Sequence, residues 1–443
     1  MANTYLTRTP SSSSSGRRTF TWSGWIKRNN VTAGYQNLFS AYGGANYYTR
    51  ILYWDTQELT VSSKQGSNFP VDLRSTTKHR DTNAWYHIVV AMDSTQSTVT
   101  DRIKIYFNGV RQTGFHGGDS SYPSLNEQCQ INHNDPHYIG HLGSGSSGYF
   151  DGIMSHVHFA DGTAYPASTF GSTDSTTGEW KINTSPSFTP GTNGFSILKD
   201  GNGVTDVSAN SNNWTIGVGS GGGLSKTEDS PSNVFCTWNP NYRGARKDLT
   251  LENGNTYFGY QNSGDSSVSG TIAVSGSGKY YWEQRIAQIN GTNAAVAGAM
   301  HTTEDWNETP TEVHSNNNTF GVRSNGNAWL NGTNLGSVTA ATYNNDVLGI
   351  GFDVDNARVY LWRNGVAQNS GNAIITGIDT SKNWIPFGIC HGGARVSTST
   401  NWGNGYFQNN PISSAGTNAS GNGIFEYDVP SGYTAISTKG LNL

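Results

Sequence analysis

Cysteine is scarce in this chain, three among 443 residues, at positions 129, 236 and 390. No two have metal-ligand spacing, and pairing any two leaves the third over, so neither a disulfide framework nor a cysteine metal site is expected. An odd thiol suits a chain made in a reducing cytosol. Charge is scarce as well: 27 Lys and Arg stand against 31 Asp and Glu, for a net charge of −4. The basic residues cluster only at Arg17-Arg18 and Lys27-Arg28, which reads as a solvated strand edge. Nucleic acid is therefore excluded as a partner, because phosphate binding needs clustered cations. No apolar run approaches the roughly 18 residues of a membrane span, so no membrane insertion is expected. The start, Met1-Ala-Asn-Thr-Tyr-Leu-Thr-Arg8, lacks the charged and apolar parts of a secretion signal. Helical periodicity is almost absent. There is no nucleophile elbow and no HExxH, and Gly217-Val-Gly-Ser-Gly-Gly-Gly223 lacks the Gly-Lys-Ser/Thr ending of a phosphate cradle.

What is abundant is glycine and aromatics: 55 Gly, 13 Trp, 22 Tyr and 17 Phe. Many aromatics with little charge exclude disorder, and glycine without a collagen period fits many turns between short strands. Two distant stretches repeat one design, Arg102-Ile-Lys-Ile-Tyr-Phe-Asn-Gly-Val-Arg111 and Arg358-Val-Tyr-Leu-Trp-Arg-Asn-Gly-Val366. Each is a β-branched and aromatic run stopped by Asn-Gly, the dipeptide of tight hairpins, and each follows another apolar run, at 85–93 and 347–355. Alternation predicts strands at 20–27, 36–42, 50–54, 58–62, 85–92, 102–107, 137–141 and 152–160 in the first half. In the second half it predicts 248–252, 268–274, 279–286, 294–299, 319–323, 347–353, 358–362 and 384–390. The serine run at 11–15 is a loop. The chain is thus expected to be all-β, two jelly-roll type β-sandwiches in tandem: 1–216, a Gly/Ser-rich linker at 217–232, and 233–443 with a C-terminal tail.

The first half resembles the laminin-G-like, concanavalin A-like lectin sandwich in Phe20-Thr-Trp-Ser-Gly-Trp-Ile-Lys27, Trp85-Tyr-His-Ile-Val-Val90, Ile105-Tyr-Phe-Asn-Gly109 and Tyr149-Phe-Asp-Gly-Ile153 with Phe159-Ala-Asp-Gly-Thr163. The second resembles a SPRY domain in Gly278-Lys-Tyr-Tyr-Trp-Glu283, Phe320-Gly-Val322, Gly349-Ile-Gly-Phe-Asp-Val-Asp355, Val359-Tyr-Leu-Trp-Arg-Asn-Gly365 and Ile385-Pro-Phe387. The order of the two, with Asp229-Ser-Pro-Ser-Asn-Val-Phe-Cys236 between them and Phe425-Glu-Tyr-Asp-Val-Pro-Ser-Gly-Tyr433 near the end, resembles virion surface proteins of tailed bacteriophages, marine ones especially. That resemblance implies a tail fibre, spike, or capsid fibre or knob, assembled in the host bacterial cytoplasm. It further implies a homotrimer or other homo-oligomer, with other virion proteins and host surface polysaccharide as partners. A purely architectural decoration protein is the rival reading.

Chemistry is expected to be absent. Concanavalin-like glycoside hydrolases need two facing carboxylates, and no strand of the first half carries the Glu-X-Asp-X-X-Glu pattern. His133, His137 and His141 span Asn134-Asp135-Pro136, which would break a helix. His156 and His158 share a strand face, yet no third ligand is near, so packing is favoured over metal. No catalytic residue, cofactor or metal site is assigned. The acidic stretch Glu304-Asp-Trp-Asn-Glu-Thr-Pro-Thr-Glu312 is read as a solvated loop in preference to a cation site or a glycan loop around Trp306. Candidate glycan or partner contacts are the loop and hairpin residues Tyr47, Tyr48, Trp54, Trp306, Asn316, Asn317, Asn318, Trp402 and Tyr406, because aromatics outside alternating strands suit sugar stacking or subunit packing.

Overall fold

Alternating apolar residues build the first unit, Met1–Leu224, from two antiparallel sheets. The computed structural model describes residues 3–442 apart from 14, 32–33, 118–119, 146, 200–202, 219–223, 225, 244–248, 261–265, 290–294, 303–317, 342–343, 391–395, 409 and 413. A seven-stranded sheet runs, in spatial order, Thr215–Val218, Thr4–Arg8, His137–Ile139, Gln36–Gly44, Tyr47–Tyr53, Glu58–Gln65 and Asn68–Lys78. A six-stranded sheet runs Phe195–Ile197, Gly152–Asp161, Thr19–Arg28, Trp85–Asp93, Ile103–Phe107 and Val110–Arg111. One cross-strand row of the first sheet is Leu6, Ile139, Phe39, Ile51, Val61 and Leu73. The second sheet supplies Phe195, Phe159, Trp22, Val90 and Ile105. All of these lie in one core, each worth about 1.5–3 kcal/mol on burial. Gly24 makes room for it: a Cβ there would come within 2.8 Å of the Trp22 ring.

The second unit, Ser225–Leu443, repeats the plan. Its seven-stranded sheet runs Trp238–Arg243, Ser266–Gly270, Trp384–Cys390, Ala295–His301, Thr319–Arg323, Asn327–Leu330 and Thr333–Ser337. Its larger sheet runs Thr250–Glu252, Tyr257–Tyr260, Val396–Asn401, Lys279–Ile289, Val347–Asp353, Arg358–Arg363 and Val366–Ala367, with Ile375–Thr376 and Thr434–Ala435 alongside. Phe258 of the larger sheet packs on Gly388 of the smaller, where a Cβ would stand 2.6 Å from the ring. Trp238, Trp282, Trp384, Phe320 and Phe352 share the core. In both units the ends meet. Leu6 pairs with Ile216 in the first; in the second Phe235 bridges Ser437, and the Cys236 N–H donates to the Ile436 carbonyl at 2.9 Å.

The repeated Asn-Gly motif does the same work twice. Asn108 and Gly109 have φ of 45° and 78°, Asn364 and Gly365 of 49° and 77°, the left-handed pair of a tight hairpin. Asn108 N–H donates to the His87 carbonyl and its Oδ1 accepts the His87 N–H, at 2.9 and 2.8 Å. Asn364 makes the same two bonds to Val347, at 2.8 and 2.9 Å. Each asparagine therefore turns one hairpin and pins a third strand segment.

Three expectations change. The strand Thr215–Val218 carries Gly217 and Val218, read as linker, into pairing with Tyr5 and Thr4. At the other end of that stretch the Glu228 N–H donates to the Asn404 carbonyl at 3.1 Å, and Asp229 Oδ1 accepts the Phe235 N–H at 3.2 Å, so both residues belong to the second unit. Lys27 and Arg28 are buried, not a solvated edge, because Thr19–Arg28 is flanked by strands on both sides. Arg28 sits 4.2 Å over the Tyr53 ring and donates to the His79 carbonyl at 2.9 Å. The polar strand Thr4–Arg8 and the edge strands Asn68–Lys78 and Thr333–Ser337 show too little alternation to be read from sequence. Among the described residues no helix is long and apolar enough to cross a membrane.

The buried histidines of the first unit and Glu283 of the second shift in opposite directions. Burial pushes His79 and His87 down to about 3 and His137 to about 4, and holds His158 well below its ordinary value. In the second unit burial pushes Glu283 up to about 7, although its carboxylate accepts Glu426 N–H, Tyr427 N–H and Asn401 Nδ2 at 2.8, 2.9 and 3.1 Å. Histidines whose folded pKa lies below the unfolded value give stability that is full above about 6.5 and is lost as pH falls toward about 4. A glutamate raised in the fold does the reverse: its penalty is nil below about 4.5 and grows as pH rises to about 7. Raising the pH from 5 to 7 is thus expected to stabilise the first unit and destabilise the second, read by hydrogen exchange resolved by unit. Glu283→Gln should flatten the second unit's slope. In urea denaturation, Asn364→Gly is expected to cost about 1 kcal/mol for the lost bond, and Asn364→Ala about 2 because left-handed backbone is added.

Candidate functional site

Each sheet of a sandwich gives one face to the core, so the outer faces decide what can be bound. In the first unit the outer face of the six-stranded sheet is covered. Tyr165, Ala167, Phe170, Trp180 and Phe188 pack there around Val89 and Tyr106. The outer face of the seven-stranded sheet carries a different row beside the apolar one: Thr7, Tyr138, Ser40, Arg50, Ser62 and Asp72.

Arg50 is the centre of this face. Its guanidinium carbon lies 5.1 Å from the Tyr48 ring centre and 5.8 Å from those of Tyr35 and Trp54. Alternation along Tyr47–Tyr53 aims Tyr48 and Arg50 outward together, while Ile51 and Tyr53 enter the core. Tyr35 meets Trp54 edge to face at 4.6 Å, which fixes the indole. Arg74 lies 5.1 Å over Trp54 and donates to Glu58 Oε2 at 3.2 Å. Burial pushes the Glu58 carboxylate up, but bonds from Thr56 and Lys78 and the charge of Arg74 hold it below the ordinary value overall. Burial also lowers the Arg50 pKa, against the pull of Tyr48, Tyr35 and Asp72. Aromatic rings beside hydrogen-bonding groups can stack on the apolar face of a sugar and meet its hydroxyls.

Of the expected contacts, Tyr48 and Trp54 are brought together. Tyr47, 50% exposed, has the parity of Ile51 and points to the opposite side of its strand. Trp306, Asn316 and Asn317 lie outside the described residues. Asn318 is half-buried and its Oδ1 accepts Lys382 Nζ at 2.9 Å. Trp402 and Tyr406 are corrected: both are buried, at 0% and 3% exposure. Gly403 and Gly405, with φ of 106° and 87°, fold this loop back on the core. There Trp402 meets Trp238 edge to face at 5.0 Å and lies 6.2 Å from Trp282, and Tyr406 Oη donates to the Asn253 carbonyl at 3.1 Å. Sequence reasoning missed Tyr35, Arg50 and Arg74. The i, i+2, i+6 spacing of Tyr48, Arg50 and Trp54 was the available signal.

Two constellations look chemical and are structural. Ser23 Oγ stands 2.9 Å from His87 Nε2, a nucleophile–base distance. But Trp180 Nε1 donates to His87 Nδ1 at 3.0 Å, which places the imidazole proton on Nε2, so His87 donates to Ser23 and cannot take its proton. His156 and His158 lie side by side, their rings 6.4 Å apart, although a bulge between Ser155 and His158 gives His156 a φ of 49°. Their Nδ1 atoms pair with Ser155 and Ser196 hydroxyls at 2.7 and 2.9 Å. Among the described residues no three metal-ligating side chains gather. Buried Asp161 accepts Asn132 Nδ2 and the Asn193 N–H, both at 3.0 Å, and is spent on loops. In the second unit an open depression of 510 Å³ is lined by Arg285, Asn344, Asn345, Ser397, Ser399 and Phe407 among others.

Residues 2–168 match the family model of the concanavalin A-like lectin/glucanases superfamily, less than half of the chain. No curated protein matches. Similar solved structures include the SPRY domain of human HERC1, 15% identical, covering 37% of this chain and 96% of that one, with a TM-score of 0.32. A heptameric SAP-like pentraxin from Limulus polyphemus is 18% identical, covering 37% and 72%, with a TM-score of 0.27. Likeness at this level stays a likeness, and the tandem-sandwich architecture rests on the strand order. The first unit thus matches a lectin/glucanase-type sandwich over residues 2–168, and the second is a β-sandwich by its own strand order. Dialysis against EDTA is expected to leave the melting temperature unchanged; a measurable drop would restore a metal role to His156 and His158.

Proposed function

We propose that this chain is a recognition protein displayed on the surface of a tailed-bacteriophage particle, and that its first sandwich binds host-envelope glycan. The observation that carries the binding reading is the Tyr48, Arg50, Trp54 and Tyr35 cluster on the outer face of the first unit's seven-stranded sheet. The virion assignment rests on the order of the two modules and the Phe425-Glu-Tyr-Asp-Val-Pro-Ser-Gly-Tyr433 segment in the sequence. In this reading the protein sits on the particle as a homo-oligomer beside other virion proteins, after assembly in the bacterial cytoplasm.

Labelled protein is expected to attach to host cells and to be displaced by their purified surface polysaccharide. Trp54→Ala with Tyr48→Ala should weaken attachment at least tenfold, about 1.4 kcal/mol, while the circular dichroism spectrum stays unchanged. Particles stained with antibody to this chain should carry label at the tail or capsid surface. Label without cell attachment would leave an architectural decoration protein.

A further inference from the structure

We propose that Arg50 anchors an acidic sugar, a hexuronate or other carboxylate-bearing residue, on the outer face of the first sandwich's seven-stranded sheet. The inference rests on the glycan reading above and adds the chemical class of the ligand.

Arg50 holds a guanidinium beside three aromatic rings. Arg28, Arg74 and Arg102 spend donors inside the fold, although Arg18 Nε, Arg28 Nη2 and Arg74 Nε are also buried without a partner. Arg28 donates to the His79 carbonyl at 2.9 Å, Arg74 to Glu58 at 3.2 Å, and Arg102 to the Gln96, Pro123 and Ser97 carbonyls at 2.9, 3.1 and 3.2 Å. Among the described residues no acceptor meets any side-chain N–H of Arg50, and its Nε is fully buried without a partner. A buried donor left unmet costs about 1–3 kcal/mol, and such a group in a folded protein calls for an explanation. The three rings around it exclude water on their side but accept no conventional hydrogen bond.

The charges around it point the same way. Glu58 is held by Arg74 and Lys78 at 3.2 and 3.3 Å. Asp72 lies two strands away in the same row and steadies the Arg50 charge, but no described carboxylate comes within 4.0 Å of the guanidinium. The planar fork of an arginine matches a carboxylate with two parallel bonds. A neutral sugar offers single hydroxyls in its place. Tyr48 and Trp54 flank the fork, so a ring stacked on either places its exocyclic carboxylate toward Arg50.

The test uses the full chain and hexuronate oligosaccharides from alginate, polygalacturonate and hyaluronan, each paired with its carboxyl-reduced form, with calorimetry as readout. The wild-type protein is expected to bind at least one acidic form about tenfold more tightly than its reduced partner. Arg50→Gln should erase that difference, leaving binding to the reduced form intact, and Arg50→Lys should recover part of it. Trp54→Ala should weaken both forms. The melting temperature of Arg50→Gln should match or exceed that of the wild type, since a buried Nε donor without a partner is removed. Equal wild-type binding of acidic and reduced forms would overturn the acidic-sugar inference and leave the glycan reading standing. Binding of neither form, together with no attachment to host cells, would overturn both. A marked fall in melting temperature for Arg50→Gln would make the residue a structural brace and overturn the inference.

Discussion

Burial of the row Leu6, Ile139, Phe39, Ile51, Val61 and Leu73 is the constraint from which the first unit's surface follows. Side chains along a strand alternate with a period of two, so committing that row to the core commits its neighbours Thr7, Tyr138, Ser40, Arg50, Ser62 and Asp72 to the outside. A slip of one residue in Tyr47–Tyr53 would put Arg50 in the core and Ile51 in water. The apolar residues that hold the sheets together thereby also align the arginine with its aromatic neighbours. The order of this outer face is inherited from the core.

The other sheet shows the alternative use of an outer face. There Trp180 lies on Gly109, where a Cβ would stand 2.4 Å from the indole, and it also fixes the tautomer of His87. In the second unit Tyr427 lies on Gly365 in the same manner, with a Cβ 2.6 Å from its ring. Both Asn-Gly turns are thus roofed by an aromatic from a later segment. The similarity of the two units extends from the hairpin to the residue that covers it.

What could be read from the sequence was local. Asn108-Gly109 and Asn364-Gly365 announce hairpins because two residues alone determine the turn, and the alternation in 85–92 or 347–353 reports burial directly. What could not be read depends on distant neighbours. Lys27 and Arg28 end a strand that only its place between two others makes central. The left-handed backbone at His156 comes from a bulge that strand alternation does not announce. Trp402 and Tyr406 enter the core because Gly403 and Gly405 adopt backbone that loop composition does not announce. Tyr48 and Trp54 were visible as aromatics, but Arg50 acquires meaning only when Tyr35, from another strand's approach, closes around it.

The pairing of first with last segments has its own implication. Leu6 lies opposite Ile216, and Phe235 opposite Ser437, so each sandwich begins and ends at one spot on its own edge. Such a unit is a cassette: it can be spliced between two turns of an unrelated protein, or cut open elsewhere and rejoined at its old ends, without a spacer. Genes carrying these units can therefore exchange them whole, swapping one binding specificity for another while the recipient's own architecture is left as it was.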